Sequence, residues 1–268
     1  SALPLADLAA GLADPSRLVG LHFFNPVSRM QLIEIVSHDA ISSETARRAT
    51  AFAVELSRLP APVTSAPGFL VNRSLTPYMA EALIMVDEGI PKERIDACAE
   101  RFGMPMGPVE LTDQVGLDIA LDVSASLRER LDTAFPDSPG WLQTMVDEGR
   151  LGRKTGAGLY AYDEDGKPQK QRLDALPDGS KDDPDMLDRL ILPMLNAVVA
   201  CLREGVVESE DVADGAMIFG TGFAPFRGGP IHYAKQRGVD EIVARMNELA
   251  DKHGPRFAPD EGWQRLKS

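Results

Sequence analysis

Two stretches of the chain carry the same five landmarks in the same order, and this internal repeat restricts the possible folds more than any other feature. The first copy holds Pro77, Glu88-Gly89, Phe102-Gly103, Gly107-Pro108 and Gly116-Leu117-Asp118. The second copy holds Pro193, Glu204-Gly205, Phe219-Gly220, Gly229-Pro230 and Gly238-Val239-Asp240. The apolar residues between these landmarks recur at helical spacing. We therefore predict a duplicated all-helical unit whose copies pack against each other as an internal pseudo-dimer.

The residues ahead of the repeat are typical of an α/β domain. Residues 18–24 (LVGLHFF) form a continuous apolar run of strand length, and residues 31–37 (QLIEIVS) form a second run. Helical spacing begins after Ser42, and residues 60–65 (PAPVTS) are expected to form the last strand. The order strand, strand, helix, strand predicts the C-terminal part of an α/β domain.

These patterns together predict four segments. Residues 1–65 are expected to form the α/β part and residues 66–165 the first helical repeat. Residues 166–184 are charged and contain three prolines, which indicates a linker. Residues 185–268 are expected to form the second helical repeat.

The charge balance argues against two classes of partner. The 268 residues include 41 acidic and 28 basic side chains, which gives a net charge of −13. Nucleic acids and anionic membrane surfaces bind clustered Lys and Arg, so we expect neither as a partner. No apolar stretch approaches the roughly 20 residues that a membrane-spanning helix needs.

The cysteines and the first residues bear on the cellular compartment. Cys98 and Cys201 lie far apart without the spacing of metal ligands, so we expect two buried thiols and no metal site. No basic segment followed by an apolar segment opens the chain, and we therefore predict a cytoplasmic protein.

His22 and Glu34 are the first candidates for catalysis. They are twelve residues apart on two strands that are expected to be neighbours. A carboxylate beside a histidine fixes its tautomer and stabilises the imidazolium, which suits a general base. Taken alone, the pair also fits a packed histidine at a strand end beside an unrelated surface glutamate.

The other polar candidates give weaker signals. Asn72 in PGFLVNR could bind a substrate oxygen, but an asparagine at this place also suits a helix start. Gly220-Thr221-Gly222 lacks the third glycine and the Lys-Ser/Thr tail of a phosphate loop, so packing and turn glycines are the better interpretation. His38 and His253 are expected to be solvated, and His232 is expected to pack at the repeat interface.

Several long motifs in order resemble the 3-hydroxyacyl-CoA dehydrogenases. These motifs are GLHFFNPVSRMQLIEIV, PGFLVNRSLTPYMAEAL and FGMPMGPVELTDQVGLD. GRLGRKTGAGLYAY and EGVVESEDVADGAMIFGTGFAPFRGGP resemble the second half of multifunctional fatty-acid-oxidation α-subunits. The resemblance implies a mainly α fold. It would consist of the C-terminal end of a Rossmann-type α/β domain followed by a duplicated all-α 3-hydroxyacyl-CoA dehydrogenase C-terminal domain.

The resemblance also implies roles for single residues. His22 matches the catalytic base of the family and Glu34 the acid that pairs with it. Asn72 matches a substrate-binding asparagine, and Asn25 matches a residue on the nicotinamide side of the cofactor. Ser1 matches the active-site serine, which contacts substrate and cofactor.

One position departs from the family pattern. Phe219 stands where bacterial α-subunits often carry a tyrosine. We assign Phe219 to the substrate-binding set, where a polar contact of that tyrosine would be missing.

The activity that the resemblance implies is oxidation of a 3-hydroxyacyl-CoA to a 3-oxoacyl-CoA with NAD in fatty acid β-oxidation. An acyl-CoA is then the substrate, and a thiolase subunit is a possible partner. No segment carries the G-x-G-x-x-G turn that seats a dinucleotide, and the family places it ahead of Ser1. We therefore expect a piece of a longer enzyme that is inactive alone. The alternatives are a non-catalytic helical scaffold of the same fold, or a dehydrogenase of a different 3-hydroxy acid.

Overall fold

The computed structural model describes residues 4–131, 135–175 and 185–267. Within these ranges the chain is mainly helical, with one three-stranded sheet. The strands are β1 (Gly20–Phe23), β2 (Leu32–Ser37) and β3 (Leu59–Thr64). The helices before residue 131 are α1 (Leu5–Ala9), α2 (Ser43–Glu55), α3 (Val71–Asp87), α4 (Lys92–Phe102), α5 (Pro108–Val115) and α6 (Leu117–Arg130). The later helices are α7 (Gly140–Asp147), α8 (Met186–Arg203), α9 (Glu210–Thr221), α10 (Pro230–Arg237) and α11 (Val239–His253).

The sheet has the order β1-β2-β3 and is mixed. β1 pairs with β2 antiparallel, and β2 pairs with β3 parallel. The parallel pair needs a crossover, which α2 supplies. The predicted order strand, strand, helix, strand is therefore confirmed for this part of the chain.

The two faces of the sheet are covered by different helices. Ile33 and Ile35 of β2 form an apolar cluster with Ala49 and Ala53 of α2. Helix α2 is capped at its N-terminus by Ser42, whose side-chain oxygen accepts a hydrogen bond from the backbone N–H of Thr45.

The opposite face packs against α9. Because side chains alternate along a strand, Leu32, Glu34 and Val36 lie on this face. A Cβ on Gly220 of α9 would lie 2.8 Å from Leu32 and 3.2 Å from Val71 of α3. Only a residue without a side chain allows α9 to approach this closely.

Four of the five repeated landmarks occupy corresponding places in the helices, whereas Phe102-Gly103 ends α4 and Phe219-Gly220 lies inside α9. Pro77 and Pro193 lie inside α3 and α8. Glu88 and Glu204 each follow the last residue of their helix by one position. The landmark pairs Gly107-Pro108 and Gly229-Pro230 supply the residue before and the first residue of α5 and α10.

A buried aspartate joins two helices in each repeat. Asp96 accepts a hydrogen bond of 2.8 Å from the backbone N–H of Val109 at the start of α5. Asp214 accepts a hydrogen bond of 2.6 Å from the backbone N–H of Ile231 at the start of α10. Both aspartates are the fifth residue of their helix, α4 or α9. A carboxylate at a helix N-terminus satisfies free N–H groups and interacts favourably with the helix dipole.

The segment between α7 and α8 is anchored by another acid of the first repeat. Asp113 in α5 accepts hydrogen bonds from the backbone N–H groups of Leu159 and Tyr160 and from the hydroxyl of Tyr162. Only residues 166–175 of the predicted linker at 166–184 belong to the described part of the chain.

Two compact units can be separated in the chain. The first holds the residues up to Ser74 together with Leu195–Val243 and the segment from Pro259 onwards. The second holds Leu75–Met194 and Ala244–Ala258. None of the helices in the described part of the chain combines the length and the apolar character that crossing a bilayer requires.

We predict that Gly107→Ala destabilises the protein by about 1–3 kcal/mol, because overpacking a close contact has costs of this size. The added Cβ would lie 2.2 Å from the Cα of Asp96, so α4 and α5 would have to separate. Urea unfolding measures the change. Gly140→Ala is the matched control, since its Cβ would meet no atom within 4 Å. Equal stability of the two variants would contradict the prediction.

Candidate active site

His22 lies at the third position of β1, directly opposite Glu34 of β2 in the antiparallel register. Opposed residues of neighbouring strands point to the same face of the sheet, so the two side chains meet. The Nδ1 atom of His22 and the Oε2 atom of Glu34 are 2.7 Å apart. The sheet register therefore creates the pair that the sequence predicts.

Glu34 is completely buried, with 0% of its surface exposed. Its second oxygen, Oε1, accepts hydrogen bonds of 3.0 Å from the backbone N–H groups of Leu70 and Val71. A buried carboxylate is stable only where its oxygens are paired or hydrogen-bonded. Both oxygens of Glu34 meet this condition, so the alternative of a surface glutamate is wrong.

The turn before α3 aims these N–H groups at Glu34. Gly68 and Phe69 both have positive φ, at 73° and 51°. Positive φ is common for glycine and unusual for phenylalanine, so the turn is a constrained feature. It directs the first N–H groups of α3 towards the carboxylate, where the helix dipole also favours a negative charge.

The ring of His22 is held from two sides and remains accessible. It makes edge contacts with the rings of Phe24 and Phe69, with centroid distances of 4.7 and 5.4 Å. Its side chain is 21% exposed. When Nδ1–H donates to Glu34, Nε2 is the ring nitrogen that can accept a proton from outside. The arrangement is that of an oriented general base.

Three of the other predicted site residues lie in or beside elements that adjoin this pair. Asn72 is half-buried in α3 and follows Val71, whose N–H bonds Glu34. Asn25 is exposed just after β1, three residues from His22. Phe219 is exposed on α9, next to the close contact that Gly220 makes with Leu32 and Val71. Ser1 lies outside the described residues.

Residues that the sequence analysis did not identify brace the start of α3. Arg73 is 3% exposed and donates two hydrogen bonds to Glu204, at 2.6 and 2.9 Å. Although burial lowers it, the hydrogen bond to Glu204 leaves the pKa of Arg73 above its ordinary value. One feature of the sequence could have identified Arg73. Arg73 and Arg189 each stand four residues before the proline of their own repeat, so they are equivalent positions.

Cys201 supports the same segment. Its sulfur lies 3.9 Å from the carbonyl oxygen of Phe69. Burial raises the pKa of this thiol to about 12, which keeps it neutral near pH 7. The expectation of a buried thiol is confirmed for Cys201, whereas Cys98 is only half-buried.

Two histidines are less exposed than predicted. His38 is 8% exposed, with Nε2 3.3 Å from the carbonyl oxygen of Leu18. The side chain of His253 is 12% exposed and lies 3.6 Å from Asp185. Burial lowers the pKa of His253, and the nearby Arg189 charge lowers it further. The prediction of solvated rings is therefore wrong, because neighbouring segments cover both residues.

Family models match most of the first two thirds of the chain. Residues 1–66 match the NAD binding domain of 3-hydroxyacyl-CoA dehydrogenase. Residues 68–162 match the C-terminal domain of the same family. The two matches follow each other at the start of α3.

Relatives of known sequence match nearly the whole chain. It is 40% identical over 266 residues to the fatty acid oxidation complex subunit alpha of Vibrio campbellii. It is 39% identical over 270 residues to the subunit of the same name from Vibrio vulnificus. Each match covers 98% of this chain but 38% of the relative. The chain thus spans well under half the length of these relatives.

Solved structures agree in fold. A 3-hydroxybutyryl-CoA dehydrogenase from Escherichia coli superposes with a TM-score of 0.82 at 24% identity, over 99% of this chain and 73% of that chain. The dehydrogenase part of multifunctional enzyme 1 from C. elegans gives a TM-score of 0.68 at 26% identity, over 99% of this chain and 63% of that chain.

A (S)-3-hydroxybutyryl-CoA dehydrogenase from Ralstonia eutropha gives a TM-score of 0.57 at 35% identity, over 60% of this chain and 58% of that chain. Family models, relatives and structures therefore agree with one another, and the chain belongs to the 3-hydroxyacyl-CoA dehydrogenase family.

Proposed function

We propose that this chain is part of a longer enzyme that oxidises 3-hydroxyacyl-CoA to 3-oxoacyl-CoA with NAD in fatty acid β-oxidation. The observation that carries the proposal is the 2.7 Å hydrogen bond between His22 and the buried Glu34, on a ring that remains accessible. Family membership supports the reaction class, and the names of the Vibrio relatives support the metabolic context.

His22 acts as the general base in this proposal. Its Nε2 takes the proton of the 3-hydroxyl group while the hydride from C3 leaves the substrate. The carboxylate of Glu34 then stabilises the positive ring, and its bonds to Leu70 and Val71 keep it in place. General-base catalysis by a positioned histidine contributes about 10²–10⁴-fold in rate.

NAD supplies the hydride acceptor when it is bound. The accessible ring of His22 and the exposed Asn25, at one end of β1, fit the nicotinamide side of such a site. The 268 residues contain no G-x-G-x-x-G turn, so the cradle for the pyrophosphate must come from other residues. We assign the nicotinamide side to this chain and the pyrophosphate cradle to a further segment of the enzyme.

The remaining site residues have positioning roles for the substrate. Asn72, one residue beyond the N–H groups that hold Glu34, would bind a substrate oxygen through its amide. Phe219 would contribute apolar contact to the acyl-CoA, since it is exposed beside the α9 contact with Leu32 and Val71. Ser1 would contact substrate and cofactor, as the family resemblance implies.

We further propose that the helical part arose by duplication and forms an internal pseudo-dimer. Reciprocal ion pairs support this. Arg73 of the first repeat pairs with Glu204 of the second, at 2.6 Å, and Arg189 of the second pairs with Glu88 of the first, at 2.7 Å. Exchange of equivalent contacts is the pattern of an isologous interface.

The proposal also includes the segment boundaries 1–65, 66–165, 166–184 and 185–268, a thiolase partner, a cytoplasmic location and no nucleic-acid partner. A non-catalytic scaffold is the less favoured alternative, because such a protein has no need for a buried glutamate bonded to an accessible histidine.

We expect His22→Gln in the full enzyme to lower kcat for 3-hydroxyacyl-CoA oxidation by at least about 10²-fold, because the base is lost. NAD binding should change little, which fluorescence titration with NADH measures. His232→Gln is the control, since His232 is exposed in α10 instead of packing at the repeat interface as predicted. Near-normal turnover of His22→Gln would refute the assignment of the base.

The isolated 268-residue chain should show neither saturable NADH binding nor reduction of acetoacetyl-CoA, because the pyrophosphate has no cradle in it. Titration with NADH and an absorbance assay test this directly. Clear activity of the isolated chain would show that the division of the cofactor site proposed above is wrong.

A further inference from the structure

We propose that Arg73 and Glu204 are positioning residues for the His22–Glu34 pair. They would hold the first turn of α3 at the place where its N–H groups fix the Glu34 carboxylate. The inference rests on the proposed function of His22 as base, and it assigns to the second helical repeat a part in orienting that base.

Two backbone N–H groups orient the Glu34 carboxylate. Its Oε1 atom is held by two backbone N–H groups, those of Leu70 and Val71, each at 3.0 Å. Backbone groups cannot change rotamer, so the position of the first turn of α3 decides where the carboxylate lies. A shift of that turn would also move Phe69, whose ring contacts His22.

Hydrogen bonds of Arg73 hold the first turn of α3. Arg73 follows Val71 by two residues, and its own N–H donates to the carbonyl of Gly68. Its guanidinium makes two hydrogen bonds to Glu204, which stands directly after the end of α8. Two parallel hydrogen bonds fix the direction as well as the distance of an arginine–carboxylate pair.

Glu204 is itself held by the neighbouring Arg203. Arg203 donates a hydrogen bond of 2.8 Å to the Oε1 atom of Glu204. Arg203 in turn bonds both oxygens of Asp260, at 2.8 and 2.9 Å. The carboxylate of Glu204 is therefore tied to a network, and Cys201 contacts Phe69 one turn earlier in the same helix.

The positive charge of Arg73 makes the Arg73–Glu204 ion pair sensitive to substitution. Arg73 is buried and its positive charge needs a compensating carboxylate. Glu204→Gln preserves the size of the side chain but removes that charge and turns one acceptor into a donor. The guanidinium must then move towards another partner or towards water, and the start of α3 moves with it.

The repeat supplies a matched control. Arg189 pairs with Glu88 through two hydrogen bonds of 2.7 and 2.8 Å, as Arg73 does with Glu204. Glu88 and Glu204 are similarly exposed, at 40% and 33%. Arg189 belongs to the second compact unit and also bonds Glu81, whereas Glu34 and the residues that bond it belong to the first unit. Glu88→Gln therefore makes the same substitution in the corresponding ion pair of the other unit, where the buried Glu81 remains as a second partner of Arg189.

The experiment compares Glu204→Gln with Glu88→Gln in two readouts. In the 268-residue chain, NMR follows the Nδ1 proton of His22, which is expected far downfield because it lies in a 2.7 Å bond to a buried carboxylate. Loss of the downfield signal in His22→Gln identifies it as the Nδ1 proton of His22. In the full enzyme, steady-state kinetics give kcat and KM separately.

We expect Glu204→Gln to lose or shift the downfield proton and to lower kcat about 10-fold with KM nearly unchanged. Misplacement of a catalytic group by 1 Å can cost up to about 10²-fold. Glu88→Gln should leave both readouts as in the unaltered protein. Arg73→Lys should reproduce the loss, because lysine keeps the charge but cannot form the paired bonds, and it replaces Glu204→Gln if that variant does not fold.

An unchanged proton and unchanged kcat in Glu204→Gln would overturn the proposal, and so would equal effects of Glu204→Gln and Glu88→Gln. The NMR readout needs no substrate or cofactor. If the full enzyme does not oxidise 3-hydroxyacyl-CoA at all, the proposed function fails, and the NMR comparison still decides whether Arg73 and Glu204 position the pair.

Discussion

The burial of one carboxylate, that of Glu34, is the constraint on which the site and much of the first compact unit depend. An ionised group without partners would cost several kcal/mol inside a protein. Glu34 avoids this cost through His22 on one oxygen and two helix N–H groups on the other. The antiparallel register of β1 and β2, the turn at Gly68-Phe69 and the direction of α3 each supply one of these partners. A change in any one of the three would remove at least one hydrogen-bond partner of Glu34.

The sequence predicts elements whose signals are local. The apolar runs predict β1 and β2, the serine cap predicts the start of α2, and the twelve-residue spacing of His22 and Glu34 predicts a pair across two strands. The helical spacing of apolar residues over 92–102 predicts α4 with its observed bounds. The stretch near 109–133, which is helical by its spacing, contains two helices, because Gly116 adopts a φ of 102° between α5 and α6.

The sequence does not predict contacts that depend on distant packing. Arg73 and Glu204 are 131 residues apart, and each alone has the appearance of a solvated helix charge. Asp96, Asp113 and Asp214 also lie in helices, where acids are usually exposed, yet each caps backbone N–H groups of another segment. His38 and His253 were misassigned for the same reason, since residues far along the chain cover them. The repeat of landmarks showed where equivalent residues lie, but not which of them touch.

The ion pair between Arg73 and Glu204 has a consequence for biosynthesis. Ribosomes release a chain from its N-terminus at about 5–20 residues per second, so the second member of the pair emerges on the order of 10 s after the first. During that interval Arg73 lacks its hydrogen bonds to Glu204, and the carbonyl of Phe69 lacks its contact with the sulfur of Cys201. Vectorial folding can complete β1, β2 and α2 early, because their contacts are close in sequence. The hydrogen-bonded geometry around Glu34 is completed late, after Glu204 has left the ribosome.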